Sequence, residues 1–133
     1  GDRAVSRGRT ITEADIVLFA AFSGDWYPLH CDKEYAAGSV FGQRVAHGML
    51  VLSVATGLIP MKPGVVLAFY GMEKVRFTAP TFIGATLHVE AEVLEKADKG
   101  NFGVVTIKQE IKNQRGEVCN TALLKVALHK KPA

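Results

Sequence analysis

Two short stretches hold the side chains best suited to moving protons. In the first, Ser23-Gly24-Asp25-Trp26-Tyr27-Pro28-Leu29-His30-Cys31-Asp32, a carboxylate and an imidazole share a loop stiffened by Pro28. In the second, Phe41-Gly42-Gln43-Arg44-Val45-Ala46-His47-Gly48-Met49-Leu50, another imidazole and a glycine stand at the head of an apolar run. A carboxyl with an ordinary pKa of about 3.9 is a poor base at neutral pH, whereas an imidazole near 6.5 can share the proton traffic. Asp25 and His30 could therefore hold and activate one water between them. If the apolar run is a helix, its first amides lack intrahelical acceptors and carry the positive end of the dipole. Gly48, without a side chain, could then bring its N–H against a polarised carbonyl oxygen.

Taken singly, these residues also have plainer readings. Asp25 after a helix is an ordinary turn residue, His30 a surface or satisfied core histidine, and His47 a structural one. His30, Cys31, Asp32 and His47 do not suggest a metal, because three consecutive ligands are geometrically awkward and match no familiar zinc spacing. Cys31 is a weak candidate nucleophile, since it directly follows His30 and the two side chains tend to diverge. No metal or cofactor is expected.

The elements that must position this site follow from periodicity and punctuation. Thr12 with Asp15 resembles a capping box, and Ile16, Phe19 and Ala20 recur at helical spacing, so a helix is expected from Glu13 to Phe22 with Gly24 as its stop. Asp25 to Cys31 is expected to be an irregular, ordered loop, because Pro28 fixes its own φ and pushes Tyr27 towards an extended conformation. Lys33 to Ala37 suits one or two helical turns closed by Gly38. Val45 to Ile59 reads as a second helix, whose small residues allow close approach to a sheet and whose apolar ones leave little room for a solvated face. Arg9 to Ile11 reads as the end of a short strand. After Gly64 come four long β-rich runs: Val65 to Thr78, Leu87 to Lys96, Phe102 to Asn113 and Val118 to Lys130. Turn signals at Pro80 with Gly84, Lys99-Gly100-Asn101 and Asn113 to Gly116 separate them. A helical first half followed by four strands is an α+β pattern, with the apolar helix filling a curved antiparallel sheet.

Bulk properties set the outer bounds. A length of 133 residues, 48% hydrophobic and 22% charged, suits one globular domain spanning 1–133. No repeat or linker divides it. Two cysteines are too few for a disulfide framework and fit a reducing compartment. No apolar run reaches the ~18 residues of a membrane span. No apolar stretch follows the charged N-terminus at once, so no secretory signal is expected and the chain is placed in the cytoplasm. The net charge of +3 is mild and its lysines and arginines are scattered, which argues against nucleic acid as a partner.

The string S-G-D-x-x-P-L-H-x-D from Ser23 to Asp32, followed by F-G-Q-R-V-A-H-G-M-L from Phe41 to Leu50, resembles the signature of the MaoC-like hydratases, the family of (R)-specific enoyl-CoA hydratases. Phe77-Thr78-Ala79-Pro80-Thr81-Phe82-Ile83-Gly84 is similar to a strand-turn pattern of the same family, F-x-x-P-x-x-x-G. The resemblance implies a hotdog fold, an antiparallel sheet wrapped around a central helix. It implies a homodimer with the acyl channel near the interface, and a coenzyme A or acyl carrier protein thioester as substrate. Asp25 and His30 match the catalytic pair, and Gly48 the amide facing the thioester carbonyl. Thr56 matches the helix position where relatives often place a Ser hydroxyl near the dyad. His47 and Tyr27 are further candidates for touching substrate. Two positions depart from the pattern: Tyr27 stands where Asn usually precedes Pro, and Ala85 where Asp commonly follows Gly84.

The expected reaction is reversible hydration of a trans-2-enoyl thioester to a (R)-3-hydroxyacyl thioester. Two alternatives stay open at this point. One is an acyl-CoA thioesterase, whose base would be aimed at the carbonyl carbon instead of the β-carbon. The other is a non-catalytic subunit that keeps the fold, although such a relative is expected to have lost Asp25 or His30.

Overall fold

Antiparallel pairing of the long strands in the second half of the chain builds one sheet. The computed structural model describes residues 1–130; the last three positions of the expected domain lie outside them. Two short strands, β1 (Arg3–Val5) and β2 (Arg9–Thr10), precede three helices, α1 (Glu13–Ser23), α2 (Pro28–Cys31) and α3 (Lys33–Ala37). The central helix α4 (Gly48–Leu58) follows, and then the long strands β3 (Val66–Phe77), β4 (Thr86–Asp98), β5 (Gly103–Lys112) and β6 (Val118–Leu128). The sheet order is β1-β4-β5-β6-β3, with β2 pairing β4 off this path. Inward positions of the strands, Leu87, Val89, Ile111 and Cys119, close over Leu50, Val51, Ala55 and Leu58 of α4. This is the hotdog arrangement, and burial of these apolar side chains is its main driving force.

Local chemistry explains most boundaries. Thr12 caps α1: its Oγ1 accepts the Asp15 N–H at 3.3 Å, while its own N–H donates to Asp15 Oδ2 at 2.8 Å. Gly24 ends α1 at φ 80°, where a side chain would be strained. The expected loop Asp25 to Cys31 is corrected in part, for Pro28 to Cys31 forms one helical turn. Proline at the first helical position needs no N–H partner and carries a helix-ready φ. α4 begins three residues later than expected because Val45 and Ala46 are held by the sheet side, Val45 bridging Phe82 and the Ala46 N–H donating to the Thr81 carbonyl. The expectation that α4 has no open face is also overturned: Met49, Ser53, Thr56 and Gly57 are exposed along one stripe. Strand β1 carries no apolar alternation, and all three of its residues are exposed.

Strand β3 occupies an edge. Its register against β6 shifts at three places, between Val66 and Ala68, Phe69 and Gly71, and Glu73 and Arg76. Within the last irregularity Lys74 adopts a φ of 52°, the positive value being unusual for a residue with a side chain.

Candidate active site

The loop between α1 and α2 carries Asp25, and its turn is built from local polar bonds. Ser23 Oγ donates to the Phe19 carbonyl at 2.7 Å and accepts the Asp25 N–H at 3.1 Å, and Asp25 Oδ1 accepts the Tyr27 N–H at 3.2 Å. The carboxylate is left exposed to solvent. His30 lies within α2, whose ring is oriented by the segment entering α4. His30 Nδ1 lies 2.6 Å from the Val45 carbonyl oxygen. A carbonyl can only accept, so Nδ1 carries a proton, and in the neutral ring Nε2 then keeps a free lone pair. The main chain of the same residue is fixed as well, because Arg44 Nε donates to the His30 carbonyl at 2.8 Å and the Arg44 guanidinium pairs with Glu13 of α1.

His47 stands at the N-cap position of α4, its ring against that of His30. The two imidazoles stack with centroids 3.9 Å apart and planes 26° from parallel. His47 is 2% exposed, and its Nε2 lies 2.9 Å from the Asp25 main-chain carbonyl. A carboxylate oxygen of Asp25 and a nitrogen of each histidine fall within 4.8 Å of one another. Stacked rings aim their in-plane lone pairs along nearly parallel planes, not at a common point. The cluster is therefore better disposed to move a proton than to hold an ion.

In front of His30 opens a cleft of about 490 Å³, walled by Val45, Gly48, Met49, Phe77, Pro80 and Cys119 among others. Gly48 is the residue the cleft cannot do without. A Cβ there would stand 2.7 Å from Phe77 Cε1, so only glycine lets the aromatic ring lie against the start of the helix. Burial pushes the Cys119 thiol above its ordinary pKa, which leaves it a poor nucleophile although it faces the cleft.

The sequence-expected residues divide into two groups. Asp25, His30, His47 and Gly48 converge at the head of α4. Tyr27 borders them: it is 54% exposed, its ring meets His30 edge-on at 6.0 Å, and its hydroxyl lies 3.3 Å from that of Tyr35. Thr56 stands apart, eight residues along α4 from Gly48, roughly 12 Å at the helical rise. Its Oγ1 donates to the Ser53 carbonyl at 2.6 Å, and it lines a second, apolar hollow of about 220 Å³ with Met49, Met61, Phe69, Met72 and Leu124. Met49 borders both spaces. Sequence reading missed Arg44, Phe77 and the Val45 carbonyl. Arg44 and Phe77 lay inside recognised motifs, whereas a main-chain oxygen gives no sequence signal.

Comparison with known proteins identifies the family of the chain. The sequence pattern of the MaoC like domain matches residues 2–114. Protein MaoC of Klebsiella aerogenes is 46% identical over 101 residues, which are 74% of this chain and 30% of that protein. The chain thus spans less than a third of that relative's length. The (R)-specific enoyl-CoA hydratase of Aeromonas caviae is 33% identical over 109 residues, 81% of this chain and 79% of the hydratase. Among solved structures, a protein from Archaeoglobus described as a monoamine oxidase regulatory protein superposes with a TM-score of 0.94 at 45% identity, covering 99% of this chain and 91% of its own.

Proposed function

Because the chain belongs to the MaoC-like dehydratase family, we propose that it is an (R)-specific enoyl-CoA hydratase, working on trans-2-enoyl thioesters with Asp25 and His30. The observation that carries this reading is the 2.6 Å contact of His30 Nδ1 with the Val45 carbonyl: with an Nδ1–H committed there, Nε2 is the nitrogen left to act as base beside the Asp25 carboxylate and the cleft. The thioester carbonyl lies at the head of α4, where the Gly48 amide polarises it and makes the β-carbon electrophilic. A water held by the dyad attacks that carbon. The water oxygen forms the new C–O bond, one of its protons passes to the dyad, and the dyad returns a proton to the α-carbon. Water is thus added across the double bond with no other reactant, and the reverse reaction is dehydration.

Substrate binding divides along α4. Tyr27 borders the reacting end, and the acyl chain extends past Met49 towards the hollow containing Thr56. A homodimer is part of the proposal. Edge strand β3 exposes Leu67, Phe69, Tyr70 and Phe77, and its unpaired main-chain groups offer a template for a second copy. The carrier is coenzyme A or acyl carrier protein and the setting cytoplasmic; among the described residues no helix is long and apolar enough to cross a membrane.

The test is hydration of crotonyl-CoA by purified protein, followed as loss of the conjugated thioester absorbance. Asp25→Asn and His30→Ala should each lower turnover by at least ~10²-fold, and the double variant should lose little more, because both groups serve one water. Near-normal turnover by either folded variant would remove the dyad assignment.

A further inference from the structure

A histidine buried behind a catalytic pair needs its own account. His47 is 2% exposed, and its Nδ1 has no hydrogen-bond partner. A phenylalanine or leucine would fill the same space without orphaning a nitrogen, so the imidazole must do something an apolar ring cannot. Two of its contacts lead to the dyad. Its Nε2 reaches the Asp25 carbonyl at 2.9 Å, joining the head of α4 to a loop 22 residues earlier. Its face lies against His30 at 3.9 Å, with Phe19 tilted against it at 4.9 Å. It is absent from the walls of the cleft.

The carbonyl fixes the tautomer. Asp25 O can only accept, so Nε2 holds the proton and Nδ1 is the bare nitrogen. A second proton on Nδ1 would create a buried N–H without an acceptor, and would set a cation against the face of the His30 ring. A neutral ring avoids both costs.

We propose that His47 is a positioning residue, not a substrate contact: as a neutral Nε2–H tautomer it ties the Asp25 main chain to α4 while its face backs the ring of His30, so that carboxylate and Nε2 meet over one water. This rests on the hydratase reading for its kinetic consequence but not for its tautomer.

The decisive experiment has two arms. Long-range ¹H–¹⁵N spectra of the labelled wild-type protein at neutral pH should show His47 protonated on Nε2 alone and His30 on Nδ1 alone. His47 found as the Nδ1–H form or as an imidazolium overturns the proposal whatever the enzyme's activity. In the second arm His47→Phe keeps the stack and loses the donor, whereas His47→Gln keeps a donor within reach of the carbonyl. Turnover of crotonyl-CoA should fall about 30-fold in His47→Phe with KM within about threefold, a misplacement effect that spares binding, and His47→Gln should recover most of it. A loss confined to KM, or a Gln variant no better than Phe, contradicts the positioning role. If the wild type hydrates no enoyl thioester, the hydratase reading fails while the tautomers still decide this one.

Discussion

The two ends of α4 are built to opposite specifications. At its head, Gly48 lies where even a methyl would collide with Phe77, and the His30 ring and the main chain of Asp25 and His30 are fixed by bonds to Val45, Arg44 and His47. Towards its other end, the hydroxyls of Ser53 and Thr56 bond back to their own helix at Met49 and Ser53, and the neighbouring hollow is lined by three methionines. Methionine is unbranched and adapts to irregular contents, so this wall tolerates variation that the head does not. The contrast matches the division of labour proposed for the substrate. A reacting centre demands sub-ångström placement, while an acyl tail demands only an accommodating apolar space.

Gly48→Ala is the severest way to challenge this contrast. The added methyl must displace Phe77 or the helix start, so turnover should fall about 10²-fold with loss of carbonyl polarisation. Because the half-exposed Phe77 ring can swing aside, stability in chemical denaturation should change by no more than about 1 kcal/mol. An alanine variant with wild-type kinetics would dissolve the rigid half of the comparison. Tyr27→Asn probes the border between chemistry and selection. It should shift the ratio of kcat/KM between four- and twelve-carbon enoyl-CoAs about tenfold in favour of the longer chain, with little change on the short one. An unchanged profile would show that Tyr27 and its partner Tyr35 stand clear of the substrate. Met49→Ala, which opens the partition between the two spaces, should raise relative activity on the twelve-carbon substrate by a few-fold at most, since a flexible side chain already yields. Thr56→Val is the mildest: with Oγ1 occupied by the Ser53 carbonyl, crotonyl-CoA turnover should stay within about twofold and stability within ~0.5 kcal/mol. A large loss there would mean that the hydroxyl turns to the substrate.

How much of this could be read beforehand depended on whether the information sat in side chains or in the backbone. The capping box at Thr12, the stop at Gly24 and the four strands after Gly64 were legible because each follows from residue type at fixed spacing. Strand β1 was not, since Arg3, Ala4 and Val5 show no alternation and owe their conformation to pairing with Glu92, Ala91 and Glu90. The turn of α2 was hidden by Pro28, which breaks a helix from within but starts one equally well. The first turn of the expected central helix was lost to main-chain bonds with Thr81 and Phe82, partners more than thirty residues distant. Within the candidate site, Asp25 and His30 were visible as a motif. What orients them, the carbonyls of Val45 and Asp25, belongs to atoms every residue possesses.

The broken register of β3 bears on how two copies would align in the proposed homodimer. An unpaired edge twelve residues long would ordinarily accept any extended strand in several alignments. Three interruptions and a lysine held at positive φ divide that edge into short segments, so an incoming strand that slides by one or two residues meets main-chain groups pointing the wrong way. In the homodimer proposed above, the irregularities would act as a vernier, disfavouring misaligned pairs and open-ended stacking and matching the edge to a strand that carries the same irregularities in the matching order.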